Sequence, residues 1–452
     1  MKFHHLFFIF CCLMVVMVAC HKDPTGPDEP QYSDAEMIAL DLLETSGWDM
    51  EDWVAGKKYI PKTLPLFNRE VLSGDIVHYS FQVPAGTGLN DVIGIHRVVK
   101  EKNEGKPIKT KTNIFLQHGD VKDFTGMFLN GVRTPHIEDD FGIAIYLARN
   151  DIDVWGIDQN WALVPQSETN FSYMKDWGME NQAKNLRFAL EIAHLARIFT
   201  GCGNNTLNLL GYSSGVLTGY AVLNEEAVLP KNKRVIGGWI PVDCAFKCDD
   251  PLWKEVYLGF YDYYKSLWDA GTYADIDPFP IFGQPARDDP DAPSANIEGL
   301  TNLQAALAVS ALPSAPLTYH YFAGVMDNEM PIDFKYVSID EALDFMIDSV
   351  PYEATRFEVD YCATISDAVD VPWDDNLFLI TVPVFNVAAA GGFGAVSTFT
   401  PTLLGSTDRQ NLLIRLEAVG EEALDFAHID LFLSHNAESL VWTPILNWLQ
   451  AH

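Results

Sequence analysis

Residues 211–215 read Gly-Tyr-Ser-Ser-Gly, a Gly-x-Ser-x-Gly pentapeptide set between the apolar run Leu207-Asn208-Leu209-Leu210 and a helix-capable segment from Val216 to Leu223. A serine on a sharp strand-to-helix turn is forced into a strained backbone conformation. Its hydroxyl is thereby lifted clear of the sheet, where it can act as a nucleophile. The flanking glycines are needed because side chains would collide where strand and helix close on each other. The start of the helix adds backbone N–H groups able to hold an oxyanion. Two further segments carry chemistry of the same kind. Gln117-His118-Gly119-Asp120 closes an early strand, and the N–H after its glycine can point at a developing oxyanion. Phe426-Ala427-His428-Ile429-Asp430-Leu431 brings an imidazole close to the end of the sequence.

These residues need a frame that brings them together. Alternating apolar residues predict strands over 76–83 and 92–98, joined as a hairpin by Pro84-Ala85-Gly86-Thr87-Gly88. Buried-type strands follow at 113–117 and 152–157. Between 176 and 200, Leu186, Ala189, Leu190, Ala193, Leu195 and Ile198 recur at helical spacing. A strand is expected at 235–242, and the strand-and-helix rhythm resumes at 378–387 and 412–419. A first helix is expected over 34–44, followed by irregular chain to residue 70. Strands alternating with helices after an antiparallel hairpin predict an α/β fold, a mostly parallel sheet with helices on both faces. Residues 249–376 break the rhythm. They are rich in Tyr, Trp, Pro and Asp and carry helix-like runs at 303–312 and 340–347, as expected of a largely helical lid inserted in the core. The division expected is therefore a core over 34–248 and 377–452 with a lid over 249–376. Within that insertion Trp253, Tyr257, Phe260, Tyr261, Tyr263, Tyr264 and Trp268 suit either lid core or the wall of a substrate pocket.

The N-terminus reads separately. Met1-Lys2 is basic, Leu6 to Ala19 is almost wholly apolar, and the run stops at Ala19-Cys20 before a Pro-rich polar stretch. That is a secretory-type signal over 1–20, too short for a comfortable membrane span. A cysteine directly after the small residue resembles a bacterial lipoprotein signal. That resemblance implies lipidation at Cys20, a flexible tether over 21–33 and a protein anchored in the cell envelope. Four cysteines would remain, Cys202, Cys244, Cys248 and Cys362, enough for two disulfides or four buried thiols. The chain has 452 residues and a net charge of -32. Such a surface repels phosphate backbones, which argues against nucleic acid as a partner. The histidines at 78, 96, 136, 194 and 435 show no ligand spacing, so no metal site is expected.

The HG turn at 118–119, the stretch Val154-Trp155-Gly156-Ile157-Asp158, the serine pentapeptide and the late His-x-Asp-Leu occur in an order that resembles the α/β-hydrolases, most closely the acid-lipase and esterase branch. The resemblance covers roughly residues 75–248 and 376–450. It implies Ser213 as nucleophile, His428 as general base and then acid, and the backbone N–H groups of Ser214 and Asp120 as an oxyanion hole. It also implies a small-molecule ester substrate and no cofactor. A serine hydroxyl is barely ionised near neutrality, so an imidazole titrating near the working pH must take its proton.

The third member departs from the common pattern. The penultimate strand runs into Ala388-Ala389-Ala390-Gly391-Gly392-Phe393-Gly394 with no acid until Asp408. Asp408 just precedes the last expected strand, and strand starts lie at the edge opposite the site. Asp243 ends the strand before the insertion, on the same edge as Ser213. Asp243 is therefore the favoured acid and Asp408 the runner-up. Asp158 reads as a turn or capping residue and His118 as a brace. Gly391 to Gly394 reads as a close backbone approach beneath the site. The reading that results is an ester-cleaving serine hydrolase. An amide- or peptide-cleaving enzyme with the same triad, or a non-catalytic binding lipoprotein on this scaffold, are its alternatives.

Overall fold

The computed structural model describes residues 32–55 and 58–452. The expected signal segment, Cys20 and the expected tether up to residue 31 lie outside the described residues. Ser33, assigned above to the tether, belongs to the fold: its hydroxyl accepts the N–H of Glu36 and starts helix α1 (Asp34–Ser46) with a capping box.

One sheet organises the chain. Its main path uses β1 (Phe67–Ser73), β2 (Ile76–Pro84), β3 (Val92–Asn103), β4 (Asn113–Gln117), β5 (Asp153–Asp158), β6 (Leu207–Tyr212), β7 (Ile236–Val242), β8 (Val384–Ala389) and β9 (Arg409–Ile414), in the spatial order β1-β2-β3-β5-β4-β6-β7-β8-β9. The first three strands form an antiparallel meander that joins β5 antiparallel; from β5 to β9 every pairing is parallel. The expected mostly parallel α/β sheet is therefore what the chain forms.

Alternation along the parallel strands sorts their side chains onto two cores. Phe115, Trp155, Leu207 and Leu209 face helices α1, α3 (Met179–Phe199) and α4 (Gly215–Ala227). Ile114, Leu116, Val154 and Leu210 face α2 (Ile143–Arg149) and the C-terminal α7 (Thr443–Ala451). Strands buried on both faces read as continuous apolar runs, which is how β4 to β7 look in the sequence.

Two details differ from the sequence reading. The stretch expected to be irregular contains the edge strand β1, whose half-exposed residues give only a weak alternating signal. The last strand begins at Arg409 and ends at Ile414 rather than spanning 412–419. It stops because the Leu416 N–H turns away to the carboxylate of Asp425, at 2.7 Å.

Segment 249–376 opens with α5 (Pro251–Asp269) and closes with α6 (Thr355–Ser366). The two helices are joined through the Tyr257 and Tyr361 hydroxyls at 3.2 Å. Between them lie three more helices and four short strands. Gly324–Asp327 pairs with Met330–Phe334, and Ala274–Ile276 with Tyr352–Ala354. The segment also touches the core backbone directly: His320 N–H donates to Gly391 O at 3.0 Å and Ile429 N–H to Tyr321 O at 2.8 Å. Cys202, Cys244, Cys248 and Cys362 are all free and buried. Among the described residues, no helix is long and apolar enough to cross a membrane.

Candidate active site

The parallel strands deliver their C-terminal ends to a single edge. Register pairs Gln117 with Gly211, Tyr212 with Val242 and Val242 with Val387. The next residue along β6 is Ser213 and along β7 is Asp243. Both ladders run one step further, with Ser213 N–H donating to Val242 O at 3.0 Å and Asp243 N–H to Val387 O at 2.8 Å. The backbone then turns sharply. Ser213 has φ 54° and Asp243 φ 50°, both in the left-handed region, which costs an L-residue roughly 1–2 kcal/mol. Two such residues side by side at one strand edge mark a strained, over-determined site.

His428 reaches this edge from the segment after β9. Its Nδ1 lies 2.7 Å from Asp243 Oδ2. A carboxylate only accepts, so Nδ1 carries the proton and the neutral ring keeps its lone pair on Nε2. The ring is fixed from several sides. Tyr212 stacks on it at 4.7 Å and donates its hydroxyl to His428 O at 3.0 Å, while Tyr319 lies 5.2 Å away. Below, Asp430 Oδ2 accepts the N–H groups of Ala427 at 2.9 Å and Ala323 at 3.0 Å. This explains the aspartate of the His-x-Asp-Leu stretch: it ties the turn carrying the imidazole. Burial pushes the Asp430 carboxyl up to about 7.

The acid is seated in the glycine-rich turn after β8. Asp243 Oδ1 accepts the N–H groups of Ala389 at 3.0 Å and Phe393 at 3.1 Å. A Cβ on Gly392 would come within 1.9 Å of Asp243 Oδ2, so only glycine leaves room for the acid. Asp408 is far from this edge in the fold. It immediately precedes β9, its carbonyl accepts the Val384 N–H at the start of β8, and its carboxylate meets His452 at 3.1 Å.

The HG turn packs against the serine. A Cβ on Gly119 would fall 2.5 Å from Ser213 Cβ, which leaves Asp120 beside the Ser213 turn. The Asp120 carboxylate accepts the Ser214 hydroxyl, and Ser214 stands at the N-terminus of α4. His118 is a brace: its Nε2 accepts the Gln159 N–H at 3.1 Å and its Nδ1 donates to Gly119 O at 2.8 Å. Burial holds its pKa below the ordinary histidine value. Asp158 is a second brace, accepting the Phe124 N–H at 2.8 Å and pairing with His96 at 2.8 Å; His96 in turn meets His78 at 2.9 Å.

Ser213 and His428 line one cavity of about 290 Å³. Trp253, Tyr257, Phe260 and Tyr264, from the aromatic stretch of α5, form part of its wall, together with Tyr319 and Tyr321. Both roles open to that stretch are present: these four residues line the pocket, and Trp253 and Tyr257 are also buried members of the hydrophobic core. The sequence reading missed a second population in the same wall, the carboxylates Asp275, Asp277, Glu353 and Glu358. Their only signal was the Asp-rich composition of segment 249–376, which does not say where a side chain points.

No protein-family profile and no curated protein matches the chain. Its fold does match solved structures. The “putative lipase” of Sulfolobus solfataricus superposes with a TM-score of 0.56 at 15% identity, covering 86% of this chain and 99% of that one. The monoglyceride lipase of Saccharomyces cerevisiae, solved with a substrate analogue, gives 0.37 at 14% identity over 87% and 97%. An esterase of Exiguobacterium antarcticum gives 0.41 at 10% identity over 79% and 96%. At these identities the Sulfolobus match establishes the α/β-hydrolase fold, and activity is a separate matter.

Proposed function

We propose that the chain is a serine hydrolase that cleaves carboxylic esters through an acyl-enzyme on Ser213. The supporting observation is the 2.7 Å bond from buried Asp243 to His428, which lines the same cavity as Ser213 on its strained turn. In this reading Ser213 Oγ attacks the ester carbonyl as its proton passes to His428 Nε2. The negative charge formed on the carbonyl oxygen is held by the backbone N–H groups of Ser214 and Asp120. Each such donor is worth about 3–4 kcal/mol to the transition state. The tetrahedral adduct collapses, the C–O bond to the alcohol breaks, and the alcohol leaves with the proton from His428. Water, giving a proton to the same imidazole, then attacks the acyl-serine; the bond to Ser213 Oγ breaks, Oγ takes the proton back from His428, and the carboxylic acid is released. Asp243 keeps the imidazole in the productive tautomer and stabilises its charged form.

A fluorophosphonate probe tests this reading. The folded protein is expected to label covalently, and Ser213→Ala to lose the label entirely. A folded chain that stays unlabelled would instead favour a binding protein on a hydrolase scaffold.

We also propose that the N-terminal segment is a lipoprotein signal that leaves Cys20 lipidated in a bacterial envelope. Cys20→Ser is expected to move the protein from the membrane fraction to the soluble one. Equal fractionation of both forms counts against it.

A further inference from the structure

Besides Ser213 and His428, the cavity wall carries five carboxylates, Asp120, Asp275, Asp277, Glu353 and Glu358, and no lysine or arginine. Three of them converge. One oxygen each from Asp120, Glu353 and Glu358 lies within 4.8 Å of the other two. Glu353 spends one oxygen on the N–H of Val121, and Asp120 takes the Ser214 hydroxyl. Glu358 is different: it is only 6% exposed and its Oε1 has no hydrogen-bond partner. A buried carboxylate oxygen without a donor is costly, and here it belongs to a side chain in the wall of the cavity that holds the serine.

We infer that the substrate carries a cationic nitrogen, an ammonium or guanidinium group, seated among Asp120, Glu353 and Glu358 beside the Ser213 turn.

Three further observations point the same way. Burial, and then the charge of Asp120, pushes the carboxyls of Glu353 and Glu358 well above their ordinary range; a cation between them would favour their charged forms and offset that shift. Asp120 adjoins the serine turn, where its negative charge would oppose an oxyanion unless a positive group neutralised it. The wall is also rich in aromatic residues, among them Tyr257, Tyr264, Tyr321 and Tyr361, surroundings that suit an organic cation. A divalent metal ion is the competing occupant of such a spacing. A hard cation seeks six or more oxygen ligands, whereas two of the carboxylate oxygens here are already committed to protein donors. The buried Lys122 does not supply the missing charge. Its ammonium donates to Phe345 O and lies 3.8 Å from Asp348.

This inference deepens the hydrolase reading and rests on it for the reaction, though not for the binding. Calorimetry on the full chain with benzylammonium chloride, benzyl alcohol and calcium chloride separates the two. Benzylammonium is expected to bind at least tenfold more tightly than the alcohol, to Ser213→Ala as well as to the unaltered protein. Glu358→Gln should lose most of that preference. Glu353→Gln provides a second variant, with circular dichroism to establish that each is folded. A matched ester pair carries the test to catalysis. Phenylalanine methyl ester is expected to exceed methyl 3-phenylpropanoate at least tenfold in kcat/KM, with the ratio falling below threefold in Glu358→Gln. Equal binding of amine and alcohol, equal turnover of the two esters, or calcium binding that displaces benzylammonium would each overturn the inference. Amine binding without ester turnover or fluorophosphonate labelling would leave the cation site standing and remove the hydrolase reading.

Discussion

Asp243 uses its two oxygens differently, and that division decides what a substitution there should do. Oδ1 takes two backbone N–H groups from the turn after β8, and Oδ2 faces the imidazole. Asn at 243 can keep the backbone bonds but would set an amide N–H₂ against Nδ1, which favours the wrong tautomer. We predict that Asp243→Asn lowers kcat on a neutral ester by about 10³–10⁴-fold. Asp408→Asn is predicted to change kcat less than about twofold, because its carboxylate pairs with His452 at the far end of β9. Comparable losses in both variants would refute the assignment. Ser213 and His428 could be picked out from short local patterns. The choice between the two acids needed the edge rule for parallel strands, and it was available only because the neighbouring apolar runs were readable as strands. Glu353 and Glu358 were beyond such reasoning. Glu353 bonds to Val121, 232 residues away, and no local spacing encodes a meeting made by two distant segments.

The elements that hold the site show the same contrast between local and distant causes. Strands β4 to β7 were legible because both faces are buried and their sequences are continuously apolar. The edge strand β1 lacks that signature, and β9 ends where a carboxylate captures a backbone N–H. The turn carrying His428 depends on Asp430, whose role could not be read from its position in the motif. With its carboxyl pushed up to about 7 by burial, against about 4 in the unfolded chain, the folded state holds this proton more tightly. Stability from this group is therefore greatest below pH 4, declines as pH rises from about 4 to 7, and is flat above. The full effect is on the order of 4 kcal/mol. Asn at this position keeps an oxygen for the Ala323 and Ala427 N–H groups and has no proton to lose. We predict that Asp430→Asn makes the protein more stable at pH 8, relative to its parent, than at pH 4. Urea unfolding at the two pH values measures the difference, and an identical offset at both would exclude this account.

At the scale of the whole molecule, the antiparallel meander and the parallel sheet are joined by a buried ionic knot. Asp153 of β5 meets Arg97 of β3 at 2.8 Å and Arg197 of α3, and all three side chains are essentially inaccessible. The Arg97 guanidinium also lies 4.5 Å from the Trp48 ring and 4.9 Å from the Trp155 ring, and Arg197 donates to Thr110 O and Lys111 O at 3.1 Å each. Removing the acid strands two guanidinium charges in a dry interior. Asp153→Ala is accordingly predicted to cost about 3–5 kcal/mol of unfolding free energy, read from chemical denaturation at constant pH. A loss below about 1 kcal/mol would show that the arginines find other partners. The Asp243–His428 bond, for its part, spans 185 residues of chain, with the whole of segment 249–376 between its ends. During synthesis the serine turn and its flanking strands emerge from the ribosome long before that bond can close. Both the seat of the Asp243 carboxylate, made by the Ala389 and Phe393 N–H groups, and its histidine come from the far side of that segment. For the hydrolase proposed above, catalytic competence would then be among the last properties the folding chain acquires, because both ends of that long span must be docked first.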